Sequence, residues 1–179
     1  MRVSVRVSGE RACFRRPECR EDFVSYDMMT PLAALRLLEG VDSRTPDGWT
    51  VDSIDVLRPV QFGWITSAEA GNYPARRINA LFDVEYIIHA RRSRGMTEDD
   101  GWSVKPAAFL GLRECPATVS TVKHPPSVPS LAHSDRIIDL GWMVYDLRGR
   151  GQSKTRFFRA SLVDGRLTVP LPEDADLAI

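Results

Sequence analysis

Arg11, Arg15, Arg16 and Arg20 crowd one short stretch of this chain. A guanidinium grips phosphate through paired hydrogen bonds, so a loop this rich in arginine suits an anionic polymer. Glu18, Glu21 and Asp22 stand among them, and the competing reading is a surface of ion pairs. Tyr26 follows with two roles open: a ring stacked on an unpaired base, or a core ring with its hydroxyl satisfied. Arg91, Arg92 and Arg94 form a second basic cluster, with Trp102 and Lys105 in the polar stretch beyond it. Trp102 suits covering a base or docking on a protein neighbour. Arg148, Arg150, Lys154, Arg156 and Arg159 make a third cluster. Groups able to move a proton are His89, Lys123 and His124. Each has a plainer reading: His89 as a partly buried structural histidine at a strand end, Lys123 and His124 as solvated loop side chains before Pro125. His133, just before Asp135, reads as a capping or solvated group. Cys13, Cys19 and Cys115 lack paired Cys-x-x-Cys spacing, which argues against a zinc site or a disulfide framework. Cys13 and Cys115 read instead as small buried groups. The sequence calls for no metal and no cofactor.

These side chains need a scaffold, and its elements are legible. Val3, Val5 and Val7 alternate with Arg2, Ser4 and Arg6, the period of a half-buried strand. Gly9 ends that reading and the arginine loop follows. Thr30 sits at an N-cap position with Pro31 at the first helical one, which predicts a helix over 31–39 closed by Gly40. Its leucines and alanines face nearly every side, so it should lie against a sheet. Strand material runs over 49–65, where Val60, Phe62 and Trp64 share a face and Pro59 marks an edge or break. A further strand covers 80–90, with Phe82, Val84, Tyr86 and Ile88 on one side. Residues 91–105 read as a loop or protruding hairpin. Thr118 to Ser134, with three prolines, reads as an irregular connection. Met143 to Tyr145 is strand core, and 157–169 reads as a hairpin around Asp164-Gly165. Trp64 and Trp142 sit in strand patterns and read as core. Arg113-Glu114 reads as an ion pair shaping the loop at Gly111. The element order predicts an α+β domain with a mostly antiparallel sheet.

Composition bounds the rest. The 179 residues are 43% hydrophobic, enough for one ordinary domain with a core. Formal net charge is zero, so any grip on nucleic acid must come from patches rather than a basic excess. Acids gather apart from the arginines, at Glu98-Asp99-Asp100 and Glu173-Asp174-Asp176. No apolar run approaches the ~20 residues that span a bilayer. No secretory signal is visible at the amino terminus, and the unpaired cysteines fit a reducing cytoplasm.

Several separated runs carry a resemblance. Ala12-Cys13-Phe14-Arg15-Arg16-Pro17-Glu18 and Ser25-Tyr26-Asp27-Met28-Met29-Thr30-Pro31-Leu32-Ala33-Ala34 resemble the amino terminus of the CRISPR-associated Cas-five family, in its type I-C (Dvulg) branch. The likeness continues at Ile54 to Val60, Phe82 to Tyr86, Phe109 to Ala117, Asp139 to Tyr145 and Phe157 to Ala160. It implies a ferredoxin-like (RRM/RAMP-type) core over 1–117 with an inserted hairpin. A β-rich carboxy-terminal extension, 118–179, would form a small sheet packed on that core as a single unit. It implies a subunit of the Cascade surveillance complex that holds the 5′ handle of the CRISPR RNA. The partners implied are the backbone and large subunits, with target DNA met through the complex and no membrane. On this reading Arg15, Arg16, Arg20, Tyr26, Arg91, Arg92, Trp102 and Lys105 are the RNA-contact candidates, and Thr30, Pro31, Gly111, Arg113 and Glu114 shape the site. Relatives in the branch also cut the repeat RNA without a metal, using a tyrosine after helix one and a Lys-His pair before the Leu-Gly-x-Arg-Glu motif. This chain reads Glu39-Gly40-Val41-Asp42-Ser43 at the first place and has Lys105 but no histidine at the second. No catalytic residue carries over, and Lys123, His124 and His89 are the remaining candidates. A nuclease, a purely structural subunit and a stand-alone RNA-binding module all stay open.

Overall fold

In the computed structural model the described residues are 2–19, 22–41, 48–67, 75–92, 108–126, 133, 135–148 and 154–171, with 146–148 and 154 described in backbone alone. The architecture is α+β with a mostly antiparallel sheet, as the element order predicts. β1 (Arg2–Ala12) keeps the alternation read from its valines: Val5 and Val7 are buried while Arg2 and Arg6 face out. Its partner is β5 (Arg77–Arg92), longer at both ends than the 80–90 expected. β5 is the axis of the sheet. One edge of it pairs with β1 and, in parallel, with the two-residue β2 (Phe23–Val24); the other pairs with β3 (Trp49–Val56) and β4 (Phe62–Thr66). The strand material read over 49–65 is therefore two strands, parted around Pro59, which has no N–H for a ladder.

The sheet continues outward on both sides. β7 (Pro116–Thr121) pairs with β1 and carries the short β6 (Ala108–Phe109). This corrects the irregular connection read from Thr118: Val119 packs against the core and Val7 is its cross-strand partner. Three prolines obscured that pattern, and Pro125 and Pro126 lie just past the strand. On the far side come β8 (Ile137–Arg148), β9 (Lys154–Val163) and β10 (Arg166–Thr168). Asp164 and Gly165 both take positive φ, 51° and 82°, giving the tight left-handed hairpin turn that the Asp-Gly pair predicts. β10 then pairs with β3, so the carboxy-terminal strands extend the main sheet.

α1 (Pro31–Val41) packs across one face, against β3, β8 and β6. Thr30 Oγ1 accepts from the Ala33 N–H at 3.1 Å, satisfying one of the free donors of the first turn. The helix runs past Gly40 because Val41, itself buried, still has a place in the core. On the face away from α1, period two lines up Arg2, Ser4, Arg6 and Ser8 of β1 beside Glu85, His89 and Arg91 of β5. Arg6 and Arg58 both pair with Glu85, and Arg58 also reaches Asp83.

Two tryptophans depart from the core reading. Trp64 is 58% exposed, because β4 is an edge strand whose buried side is taken by Gly63 and Ile65. Trp142 is 45% exposed, because a bulge between Asp139 and Gly141 shifts the alternation and turns Met143 inward instead. The protruding hairpin expected over 91–105 lies, past Arg92, outside the described residues. No helix among the described residues is long and apolar enough to cross a membrane.

Candidate nucleic-acid interface

The arginine loop is fastened on both sides. Leaving β1, the Cys13 N–H donates to the Leu110 carbonyl at 3.0 Å, and the Phe14 N–H to Ser25 Oγ at 3.0 Å. Returning, the Arg16 N–H donates to Val24 O, Tyr26 N–H to Phe14 O, and Ser25 N–H to Asn79 O on β5. The loop is thus zipped onto β2 and the start of β5. Gly111 closes it from the other side. Its φ is +90°, and a Cβ there would lie 1.9 Å from the Cys13 carbonyl oxygen. Only a residue without a side chain lets these two backbones meet. The Ala12-Cys13-Phe14 run and the Phe109 to Ala117 run, far apart in sequence, therefore meet as one clasp.

Cys13 and Cys115 are both buried here, as their reading as small apolar groups expects. Burial first, and then the neighbouring thiol, pushes Cys13 up to about 12. Burial and Glu114 push Cys115 up to about 11. Neither is a nucleophile at neutral pH. A cavity of about 340 Å³ lies beside the clasp, with Arg15, Arg36, Phe14, Leu37 and Phe109 among its lining residues.

The candidates among the described residues now have a place. Arg15 is exposed, with its guanidinium 4.4 Å from the Phe23 ring centre. Arg16 is half-buried; it lies 4.4 Å over Tyr26 and pairs with Glu18 at 3.3 Å. Tyr26 takes the buried placement of the two left open: its ring is fully buried beneath Arg16, and burial pushes its hydroxyl up to about 12. That hydroxyl, however, has no hydrogen-bond partner among the described residues. It has no face to offer a base. Arg92 is also corrected. It is 8% exposed and lies against Trp49, since its parity on β5 points it toward the helix side. Arg91, of the opposite parity, faces out and pairs with Asp52 at 2.8 Å. Arg113 and Glu114 both face solvent and make no ion pair with each other among the described residues, so the backbone rather than a charge pair shapes the Gly111 loop. Pro31 opens α1 beneath Thr30. Lys123 and His124 are exposed just beyond β7. His133 is buried, with Nε2 3.2 Å from the Arg58 carbonyl, rather than solvated. His89 is part-buried and bridges Ser4 and Asp55. Arg20, Trp102 and Lys105 lie outside the described residues.

The structure adds residues that the sequence reading missed. Arg76 and Arg77, adjacent at the start of β5, each cover an aromatic ring: Arg76 lies 5.1 Å from Phe23 and Arg77 4.6 Å from Trp64. Phe62 is exposed beside Trp64 along β4. Together with Arg15 they place guanidinium groups against aromatic rings around one end of β5, the two kinds of group that single strands use for phosphate and base. The signal in the sequence was Phe62-Gly63-Trp64 followed by Arg76-Arg77, but alternation alone does not say which face meets solvent.

Comparison with known proteins agrees with this architecture. No family model matches the chain. Two curated relatives, each named CRISPR pre-crRNA endoribonuclease Cas5d, are 28% identical to it. The Mannheimia succiniciproducens protein aligns over 94% of this chain and 95% of its own length. The Thermus thermophilus protein aligns over 98% and 94%. The chain is similar to these Cas5d proteins along nearly all of its length. Two solved structures share the fold of this chain, each covering 98% of it and matched over 95% of its own length. One is a CRISPR-associated protein, 22% identical with TM-score 0.74. The other is a functionally uncharacterized Streptococcus mutans protein, 19% identical with TM-score 0.73.

Proposed function

We propose that this chain is a Cas5-family, type I-C Cascade subunit that holds the 5′ handle of the CRISPR RNA and caps the backbone of the complex. The observation that carries this is the arginine–aromatic ring at one end of β5: Arg15 and Arg76 on Phe23, and Arg77 on Trp64 beside Phe62. Unpaired RNA offers phosphates to guanidinium groups and base faces to rings. The backbone clasp at Gly111 holds the Arg15 loop, and the guanidinium lies exposed against Phe23 at this end of β5. On the outer strands Ile137 and its cross-strand partner Val163 are exposed together, an apolar pair suited to a neighbouring protein subunit. Fluorescence anisotropy with labelled handle RNA at several salt concentrations tests the reading. Binding that weakens as salt rises, and that Arg15→Ala with Arg77→Ala reduces at least tenfold, supports it. Equal affinity in wild type and double variant removes this surface from the site.

A second reading is that the chain also cleaves precursor RNA, and the names of the two curated relatives favour it. The family tyrosine and Lys-His positions are not matched, so any cleavage must use other groups. A stand-alone RNA-binding role is separated from a Cascade role by copurification: recovery of the tagged chain with backbone and large subunits supports Cascade, and recovery with RNA alone opposes it.

A further inference from the structure

Four residues on four strands form one hydrogen-bonded chain on the sheet face away from α1. Ser4 Oγ of β1 lies 3.0 Å from His89 Nδ1 of β5. His89 Nε2 lies 2.8 Å from Asp55 Oδ2 of β3. Arg166 of β10 donates Nε to Asp55 Oδ1 at 2.6 Å and Nη2 to Oδ2 at 2.8 Å. The Asp55 side chain is wholly buried. Burial opposes its charge, but the hydrogen bonds from Arg166 and His89 outweigh that and hold its carboxyl below the usual carboxylate range.

The protonation pattern follows. An ionised carboxylate only accepts, so His89 carries a proton on Nε2; in the neutral ring Nδ1 then faces the Ser4 hydroxyl as an acceptor. This is the hydroxyl–imidazole–carboxylate order that activates an oxygen. Such a chain can also serve packing alone, but here it is reachable. A groove of about 570 Å³ opens over Ser4 and His89, with Arg2, Arg91, Arg166 and Asp52 around it. The Val122 N–H donates to the Ser4 carbonyl at 2.8 Å, so Lys123 and His124 leave the sheet beside the same end of β1.

We propose that Ser4, His89 and Asp55 form an acid–base centre that cleaves RNA lying in this groove. The inference rests on the reading that the chain handles RNA. Ser4 Oγ passes its proton to His89 Nδ1 while taking the proton of a ribose 2′-hydroxyl. The 2′ oxygen bonds to the adjacent phosphorus, the bond from phosphorus to the 5′ oxygen breaks, and that oxygen takes a proton from water. The products are a 2′,3′-cyclic phosphate and a 5′-hydroxyl, and His89 returns its proton to solvent. Arg2 and Arg91 stand where the crowded phosphate gathers negative charge. Asp55 is a positioning residue that fixes the imidazole, with Arg166 fixing Asp55 in turn.

The test uses the full chain, end-labelled repeat RNA from its own locus, and EDTA in every reaction. Wild type should cut, leave a cyclic phosphate end, and fail on RNA with a single 2′-deoxy at the cut position. His89→Gln should slow single-turnover cutting by about 100-fold or more, within the range for losing a general base. Ser4→Ala, a small change at a strand surface, should slow it at least tenfold, and both should bind RNA within twofold of wild type. A wild-type chain that binds RNA without cutting it overturns the inference and leaves the handle-binding reading standing. One that neither binds nor cuts overturns both. Wild-type rates in His89→Gln and Ser4→Ala also overturn it.

Discussion

Replacing Gly111 by alanine strikes the contact that joins the two loops of the interface. The φ of +90° costs any residue with a Cβ about 1–2 kcal/mol. The new methyl would also sit 1.9 Å from the Cys13 carbonyl oxygen and 2.7 Å from its carbon, against the 3.4 Å at which ordinary contact begins. Both are backbone atoms, so no side chain can swing aside and the loops must part. Parting breaks the 3.0 Å bond from the Cys13 N–H to the Leu110 carbonyl. A buried donor left without a partner costs about 1–3 kcal/mol. Together these give about 2–5 kcal/mol, or a fall in Tm of about 5–15 °C for a chain of this length. Urea unfolding followed by circular dichroism measures it. RNA affinity should fall in the same variant, since the Arg15 loop loses one of its two fastenings. A loss below about 1 kcal/mol would refute the clasp, because strain alone would exceed it.

Thr30→Ala removes the cap on α1 and should cost about 1 kcal/mol, read from the denaturation midpoint. Trp64→Ala should weaken RNA binding by about 1–3 kcal/mol, the worth of one stacked base. Its stability should change little, because the ring is exposed. Asp55 sets an acid limit: its folded pKa lies below its unfolded value, so its contribution is complete above the ordinary carboxylate range and fades as pH falls through the lowered folded value. Acid unfolding of Asp55→Asn should be correspondingly less steep than that of wild type. Ellman titration of the native chain should find Cys13 and Cys115 unreactive until denaturant is added, because both thiols are buried.

Local rules carried far in this chain. The alternating valines of β1, the Thr30-Pro31 helix start and the Asp164-Gly165 turn are each set by neighbours within a few residues, and each is where the sequence places it. What could not be read depended on which strand lies alongside. Trp64 and Trp142 have core-like patterns, yet one sits on an edge and the other beyond a bulge. Arg91 and Arg92 are neighbours of like charge, and only the parity of β5 against the helix sends one outward and the other in. The site shows the same division. The arginine loop was legible as a concentration of charge in one short stretch. Phe23, Arg76, Arg77 and Trp64 were not, because β5 alone brings β2 and β4 together.

The axial position of β5 has a kinetic consequence for synthesis. Arg2 pairs with Arg91 and Ala12 with Leu81, so the first strand has no ladder partner until translation has passed the ninth decade of residues. Contacts this distant in sequence close slowly, and a waiting strand offers its free N–H and C=O groups to other chains. Nascent polypeptides stalled before that point should be the aggregation-prone species, whereas those released beyond it can fold onto a finished template.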